Sequence, residues 1–388
     1  MLPMKQTARI ISTYSADTFG VCSALFELGG MVVMHDPSGC NSTYTTHDEP
    51  RWFDMDSRIY ISGLTEMDAV LGNDQRLIDD ITETARIQKP AFICIVGSQI
   101  PSLIGCDLPA IAHIVEKTTG IPSFSLPTNS MHYYTRGVYL ALEALAKRFV
   151  AAPCKKDSPA SASRRVNVLG LTPLDFSVNG SDKSICRWLE ENGFNVASRW
   201  AMGSSLQEIR ASCHAGINLV VSYGGLGAAR ALEKKWGIPY VIGVPFGGMK
   251  KRLLAHLEPS FRENLPACSY LPPSTEDRKG IYLIGESVFS CSLAAALEEE
   301  HHCPIQVICP VETEDSLLRP GDIRATDEAE LEPILANASV LIADPLYRPI
   351  CPPGVKFVEL PHEGFSGRLF RKQIPNLIDG APLPSLCP

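Results

Sequence analysis

Apolar residues in this chain come in short continuous runs, and the segments between the runs have a helical repeat. Runs at 30–35, 91–96, 166–171, 217–222, 240–244, 280–285, 304–309, 339–343 and 355–360 are mostly bounded by Gly, Pro, Asn or Asp, and a shorter one lies near 122–126. Runs of that length predict strands buried on both faces, as in parallel sheets. The periodic segments predict helices after 72–74, from Leu108, over 134–149, over 181–192 with a stop at Gly193, after 224–227, and over 290–300. Alternating strands and helices predict an α/β fold. The grammar repeats three times, so the expected architecture is three consecutive Rossmann-like parallel-sheet domains. The expected divisions are 1–152, a small polar linker at 153–165, 166–272, 280–375, and a tail at 376–388.

Composition narrows the function classes. A chain of 388 residues exceeds one ordinary core. Charged residues are 20% and the formal net charge is −8, without a Lys/Arg block to offset it. That argues against a nucleic-acid partner held through phosphates. No apolar run reaches the roughly 18 residues of a membrane span, and the first residues lack a signal-peptide core. A cytoplasmic protein is expected. Its 13 cysteines then read as thiols and metal ligands, not as a disulfide framework. Cys94, Cys186, Cys213 and Cys309 lie within strand or helix patterns, where a thiol acts as a small apolar group.

The chemistry gathers in strand-end loops, where open α/β sheets bind ligands. The first run ends in His35-Asp36-Pro37-Ser38-Gly39-Cys40, a turn with a thiol at its tip that can ligate metal or attack a substrate. Beyond it, His47 with Asp48 and Glu49 can form a proton relay or metal site. His132 follows the turn at 127–129 and faces a strand end. Gly224 and Gly225 follow a strand and open a helix, where backbone N–H groups can hold an anion. Arg230 replaces the third glycine of a dinucleotide loop, so tight strand–helix packing is the alternative. Cys351 and His362 lie in the last two strand-end loops. No Gly-x-x-x-x-Gly-Lys-Ser/Thr motif is present, so this chain carries no P-loop of its own.

The order of these segments resembles nitrogenase component 1 and its relatives, which include protochlorophyllide and nickel-tetrapyrrole reductases. The loop 35–40 resembles that family's His-Gly-Pro-x-Gly-Cys cluster loop. Residues 62–72 resemble its Thr-Glu-x-Asp-x-Val-Phe-Gly segment, and 102–108 its Ile-Gly-Asp-Asp-Leu helix start. Gly216-Ile217-Asn218-Leu219-Val220 and Gly237-Ile238-Pro239-Tyr240 match its second-domain landmarks. The resemblance implies a homo- or heterodimer around an interface iron–sulfur cluster of 4Fe–4S type. It also implies a separate reductase that carries the ATP and supplies electrons, and a substrate, second metallocofactor or tetrapyrrole between the three domains. Cys40 matches the middle cluster cysteine, placing the cluster loop and dimer interface in the first domain. Ser15 and Gln99 stand where the other two would fall, leaving Cys22 and Cys106 as substitutes. A helix start beside Cys106 is expected to lower its thiol pKa. The implied proton-delivery residues are His47 and His132, and the implied cofactor-contacting residues Gly224, Gly225, Cys351 and His362. The expected function is a nitrogenase-like oxidoreductase component, with a cofactor-assembly scaffold or a non-catalytic partner subunit as alternatives.

Overall fold

The structure, a computed structural model, describes residues 8–11, 13–39, 49–151, 164–258, 267–271, 280–379 and 381–386. Cys40 and His47 lie outside the described residues.

The first unit begins with helix α1 (Asp17–Leu25) and strand β1 (Met31–His35). It continues through β2 (Ile59–Ile61), α2 (Glu66–Leu71), α3 (Asp74–Gln88), β3 (Ile93–Gly97), α4 (Gln99–Leu103), α5 (Leu108–Thr119), β4 (Ser123–Leu126) and α6 (Tyr134–Arg148). Its sheet is parallel, in the order β2-β1-β3-β4. Both faces are covered, as the continuous apolar strands require. Met31, Val33, Ile93 and Ile95 pack toward α3 and α5, while Val32, Met34, Cys94 and Val96 point into the larger core with α1 and α6. Helix α5 starts where Asp107 accepts the Ala110 N–H with Pro109 in the first turn, and stops at left-handed Gly120.

The second unit comprises β5 (Arg165–Leu169), α7 (Pro173–Phe176), α8 (Ser181–Glu191), β6 (Asn195–Arg199), α9 (Leu206–Arg210), β7 (Ile217–Val220), α10 (Leu226–Trp236), β8 (Tyr240–Ile242) and α11 (Met249–Leu257). Its parallel sheet runs β6-β5-β7-β8. The third comprises β9 (Ile281–Ile284), α12 (Ser287–His301), β10 (Gln306–Cys309), β11 (Ile323–Arg324), α13 (Glu328–Leu335), β12 (Val340–Ala343), β13 (Lys356–Glu359) and α14 (Glu363–Ser366). Its sheet is also parallel, in the order β11-β10-β9-β12-β13. Among the described residues no helix is long and apolar enough to cross a membrane.

One continuous core runs through all three units. Helix α6 joins them, packing on α1 from its own unit and on α10 from the second. The α1–α6 crossing brings backbone to backbone. A Cβ on Gly20 would collide with the Tyr134 carbonyl, and one on Gly137 with the Asp17 carbonyl. The third unit reaches the same helix through Glu312. Its carboxylate accepts the Tyr133 N–H at 3.1 Å and the Thr135 hydroxyl at 3.2 Å, placing negative charge at the helix N-terminus. A buried arginine links the first two units. The Arg51 guanidinium donates to Glu49 at 2.6 Å, Glu27 at 2.9 Å, the Ser23 carbonyl at 2.7 Å and the Ala201 carbonyl at 2.8 Å.

Candidate functional site

Each sheet has a strand flanked on both sides by strands that follow it in sequence, so the strand order reverses there, and a crevice opens at the carboxyl ends beside such a switch point. In the second sheet that point lies between β5 and β7, and in the third between β9 and β12. The loops leaving these strands meet at a three-unit junction. After β5, Thr172 caps α7 and fixes Asp175. After β7 comes Ser222. After β9, Glu286 caps α12 by accepting the Phe289 N–H at 2.9 Å. After β12, Asp344 accepts the His362 N–H at 2.8 Å and the Ser366 hydroxyl at 2.8 Å, which sets the loop carrying His362.

The junction is buried and rich in acids. Asp175 accepts the Tyr134 hydroxyl at 2.6 Å and the Thr172 hydroxyl at 2.9 Å. Burial first, and then the nearby Glu286 carboxylate, push the Asp175 carboxyl up to about 7. Burial also raises Glu286, although three backbone N–H groups oppose the shift. The His362 ring stacks against Phe365 with centroids 4.5 Å apart and lies 6.2 Å from Tyr134 and Phe289. Neither ring nitrogen has a hydrogen-bond partner; Nε2 stands 3.7 Å from Asp175 Oδ1. Burial holds this imidazole down at about 3, so it is neutral at physiological pH.

The sequence-derived candidates do not converge here. His362 is at the junction. Gly224 and Gly225 are next to it, but they serve packing: a Cβ on the first would strike Val138, and on the second the Leu169 carbonyl. The amide that opens their loop, Tyr223 N–H, is already taken by Glu286 at 2.9 Å. An internal carboxylate thus occupies one of the amides of this loop. His132 pairs with Glu312 across the first and third units at 3.2 Å. Cys351 is half-buried and donates to the Pro352 carbonyl at 3.8 Å. Cys22 is fully buried among core residues of α1, its thiol pushed well up by desolvation. Cys106 corrects the expectation of an activated thiol. Burial and the Asp74 carboxylate, 3.7 Å away, push it up to about 12, outweighing the helix start. Asp175 and Glu286 were missed by sequence reasoning. Their signal was position, since each lies a few residues beyond a strand that proves to be a switch strand.

A second region lies at the carboxyl edge of the first sheet. β1, β2 and β3 all end there, leading respectively to the turn before Cys40, to α2 and to α4. His35 donates to or accepts from the Ser62 hydroxyl at 2.8 Å, and Asp36 accepts the Ser38 N–H at 2.8 Å, shaping the turn. Ser15 is held by backbone bonds to Gly364 and Tyr134, and the Gln99 amide donates to the Ser130 carbonyl at 3.3 Å. On this edge Val70 and Leu71 of α2 and Leu103 of α4 are at least 70% exposed, with Met67 and Ile104 beside them. The Cys106–Asp74 contact joins the two flanks. A cavity of about 440 Å³ lies behind α4, lined by Pro101, Cys106, Leu108, Ser125 and Thr128 among others.

Comparison with known proteins now places the chain. The model for nitrogenase component 1 type oxidoreductases matches residues 18–259, and the chain belongs to that family. It is 24% identical over 220 residues to the nitrogenase molybdenum-iron protein alpha chain of Clostridium pasteurianum, covering 54% of this chain and 40% of that one. It is 28% identical over 256 residues to the nitrogenase iron-molybdenum cofactor biosynthesis protein NifE of the same organism, covering 63% and 53%. A NifE from Sinorhizobium fredii is 29% identical over 205 residues, covering 48% and 37%. The chain thus spans about half or less of these curated relatives. The solved structure of nitrogenase Cp1 at pH 6.5 superposes with a TM-score of 0.70 at 16% identity, over 95% of this chain and 90% of that one. That likeness confirms the α/β fold of three parallel sheets.

Proposed function

We propose that this chain is a component 1-like subunit that shares an iron–sulfur centre with a second component 1-like chain and receives low-potential electrons from a separate ATP-dependent iron–sulfur reductase. The observation that carries this reading is the apolar edge of the first sheet. Exposed Met67, Val70, Leu71, Leu103 and Ile104 stand on either side of the loop leading to Cys40. Exposed apolar side chains gathered in one place mark a protein–protein contact. Among the described residues no three His, Cys, Asp or Glu side chains converge as a metal site requires. Cys22 is sealed in the core, which leaves Cys106 as the described thiol on that edge. A cluster there fits only as a shared site, with Cys40 from this chain and thiolates from its partner. Bound, it would supply one-electron transfer; the chain's own part is to hold the cluster and exclude water around it.

Among the described residues, the cavity where the second and third units meet is about 20 Å³, against the several hundred typical of ligand pockets, too small to hold a second metallocofactor or tetrapyrrole. The cofactor-assembly scaffold remains a second reading, favoured by the likeness to NifE proteins.

The test is iron and acid-labile sulfide per complex, purified anaerobically with its partner. Wild type is expected to hold stoichiometric iron. Cys40→Ala should lose it, and Leu71→Asp should lose partner and iron together while keeping its Tm. Iron that persists in Cys40→Ala, or a wild-type complex without iron, refutes the reading.

A further inference from the structure

The cavity of about 440 Å³ behind α4 has no part in the proposed redox role. It opens at the carboxyl ends of β3 and β4, the end of an α/β sheet where ligands gather. Its volume lies within the roughly 300–1,000 Å³ of ligand pockets and equals that of about 15 waters in the liquid. The walls are tied to one another. Three of them meet at Gly97, where a Cβ would stand 3.0 Å from Leu108 Cδ1, 3.7 Å from Pro101 Cβ and 3.7 Å from the Thr128 carbonyl oxygen. The Thr128 hydroxyl accepts the Gly97 N–H at 3.1 Å and donates to the Gly97 carbonyl at 3.0 Å, fixing the turn after β4. On the other side the Cys106 N–H donates to the Pro101 carbonyl at 3.0 Å, and Asp107 accepts the Ala110 N–H at 3.0 Å. Pro101, Pro109 and Pro127 stiffen the lining further. A cavity held open in this way does not have to be ordered by its ligand, which favours binding.

The lining sets the chemistry of the ligand. Among the described residues it contains no Asp, Glu, Lys, Arg or His. A charged group buried there would have no counter-ion, which is costly. Asp74, 3.7 Å from the Cys106 sulfur, and Asp107 add negative potential on that side and disfavour anions. What the lining offers is the apolar surface of the prolines, Leu108 and Leu126, together with two hydroxyls, Ser102 and Ser125. Neither hydroxyl has a hydrogen-bond partner among the described residues, and each can donate or accept. We propose that this cavity is a binding site for an uncharged, mainly hydrocarbon small molecule that carries a hydroxyl or carbonyl for these serines. Binding it returns water from an apolar surface to the bulk. The site requires neither Cys40 nor a cluster, so it stands or falls separately from the redox role.

Titration of the full chain with naphthol, naphthalene and naphthoate at about pH 7 tests the site, because the three probes share one ring system and differ in polarity and charge. Saturation-transfer NMR and calorimetry at two temperatures read the binding. One naphthol per chain should bind with a negative heat-capacity change, at least about tenfold tighter than naphthoate. Ser125→Ala should bring naphthol down toward naphthalene. Ser102→Trp, at an exposed position of α4, should fill the cavity and weaken naphthol at least about tenfold while keeping its Tm. Pro109→Trp, at the exposed start of α5, serves if Ser102→Trp does not fold. Naphthol that does not saturate, naphthoate that binds equally well, or unchanged binding in both tryptophan variants overturns the proposal. So does naphthol binding that vanishes in the complex purified with its partner, since a partner side chain then fills the cavity.

Discussion

Arg51 offers a sharp test of how the first two units are held together. Its guanidinium is 5% exposed and its partner Glu49 is fully buried. It also lies 4.7 Å from the Phe26 ring centroid and reaches Glu27, whose other oxygen accepts the Gly203 N–H at 2.5 Å. Arg51→Ala removes the guanidinium that donates to the buried Glu49 carboxylate and leaves the Ser23 and Ala201 carbonyls short of a donor. Breaking one side of a buried pair costs about 3–5 kcal/mol, and an orphaned carbonyl about 1–3 kcal/mol, partly relieved by entering water. The expected loss is about 4 kcal/mol, which lowers Tm by roughly 5 °C for a cooperative unit of 388 residues. Urea unfolding followed by tryptophan fluorescence measures it. Arg51→Lys should recover little, because an ammonium cannot span four acceptors in a plane. Arg51→Met combined with Glu27→Gln and Glu49→Gln should recover more than half, since no charge is then left buried. A loss under about 1 kcal/mol for Arg51→Ala, or a triple variant no better than the single, would refute the reasoning.

Two further outcomes follow from perturbed side chains. His362 stays neutral when folded but takes up a proton in the unfolded chain below its usual value. Its contribution is full above about pH 6.5 and is lost as pH falls toward 3, amounting to about 2 kcal/mol between pH 7 and pH 5. His362→Phe should lose that slope and stay within about 1 kcal/mol of wild type at pH 7; an unchanged slope in urea titrations would count against it. Cys106, held protonated beside Asp74, should react with iodoacetamide at neutral pH at least about a hundredfold more slowly than free cysteine, given roughly a thousandfold less thiolate. Peptide mass spectrometry gives the rate, and labelling at the free rate would contradict the assigned environment.

The fold was largely legible because its strands are buried on both faces, so β1, β3, β5, β7 and β9 stand out as apolar runs. The elements that escaped lack such a pattern. Every residue of α1 is buried, which erases the helical stripe. β6 is a polar edge strand, Asn195 to Arg199, and β2 is three residues long. Site residues were harder to read. His362 stood out as a strand-end histidine, but nothing local reveals the burial that keeps it neutral. Asp175 and Glu286 look like ordinary helix-capping acids, and only the three-dimensional meeting of two sheet edges makes them a pair. Cys106 failed for the same reason: the helix start was visible, but Asp74, 32 positions earlier, was not.

The cap that Glu312 places on α6 has a consequence for how the chain is made. The first unit leaves the ribosome with all its strands well before Glu312 is synthesised. Until then the N-terminal turn of α6 lacks its carboxylate, and the Tyr134 ring lacks Gly364, which closes over it. The first unit is therefore finished by the last. A fragment ending in the 153–165 segment would keep its sheet but leave α6 frayed at the end where the three units join, and domain-by-domain expression would yield a less ordered first unit than the intact chain contains.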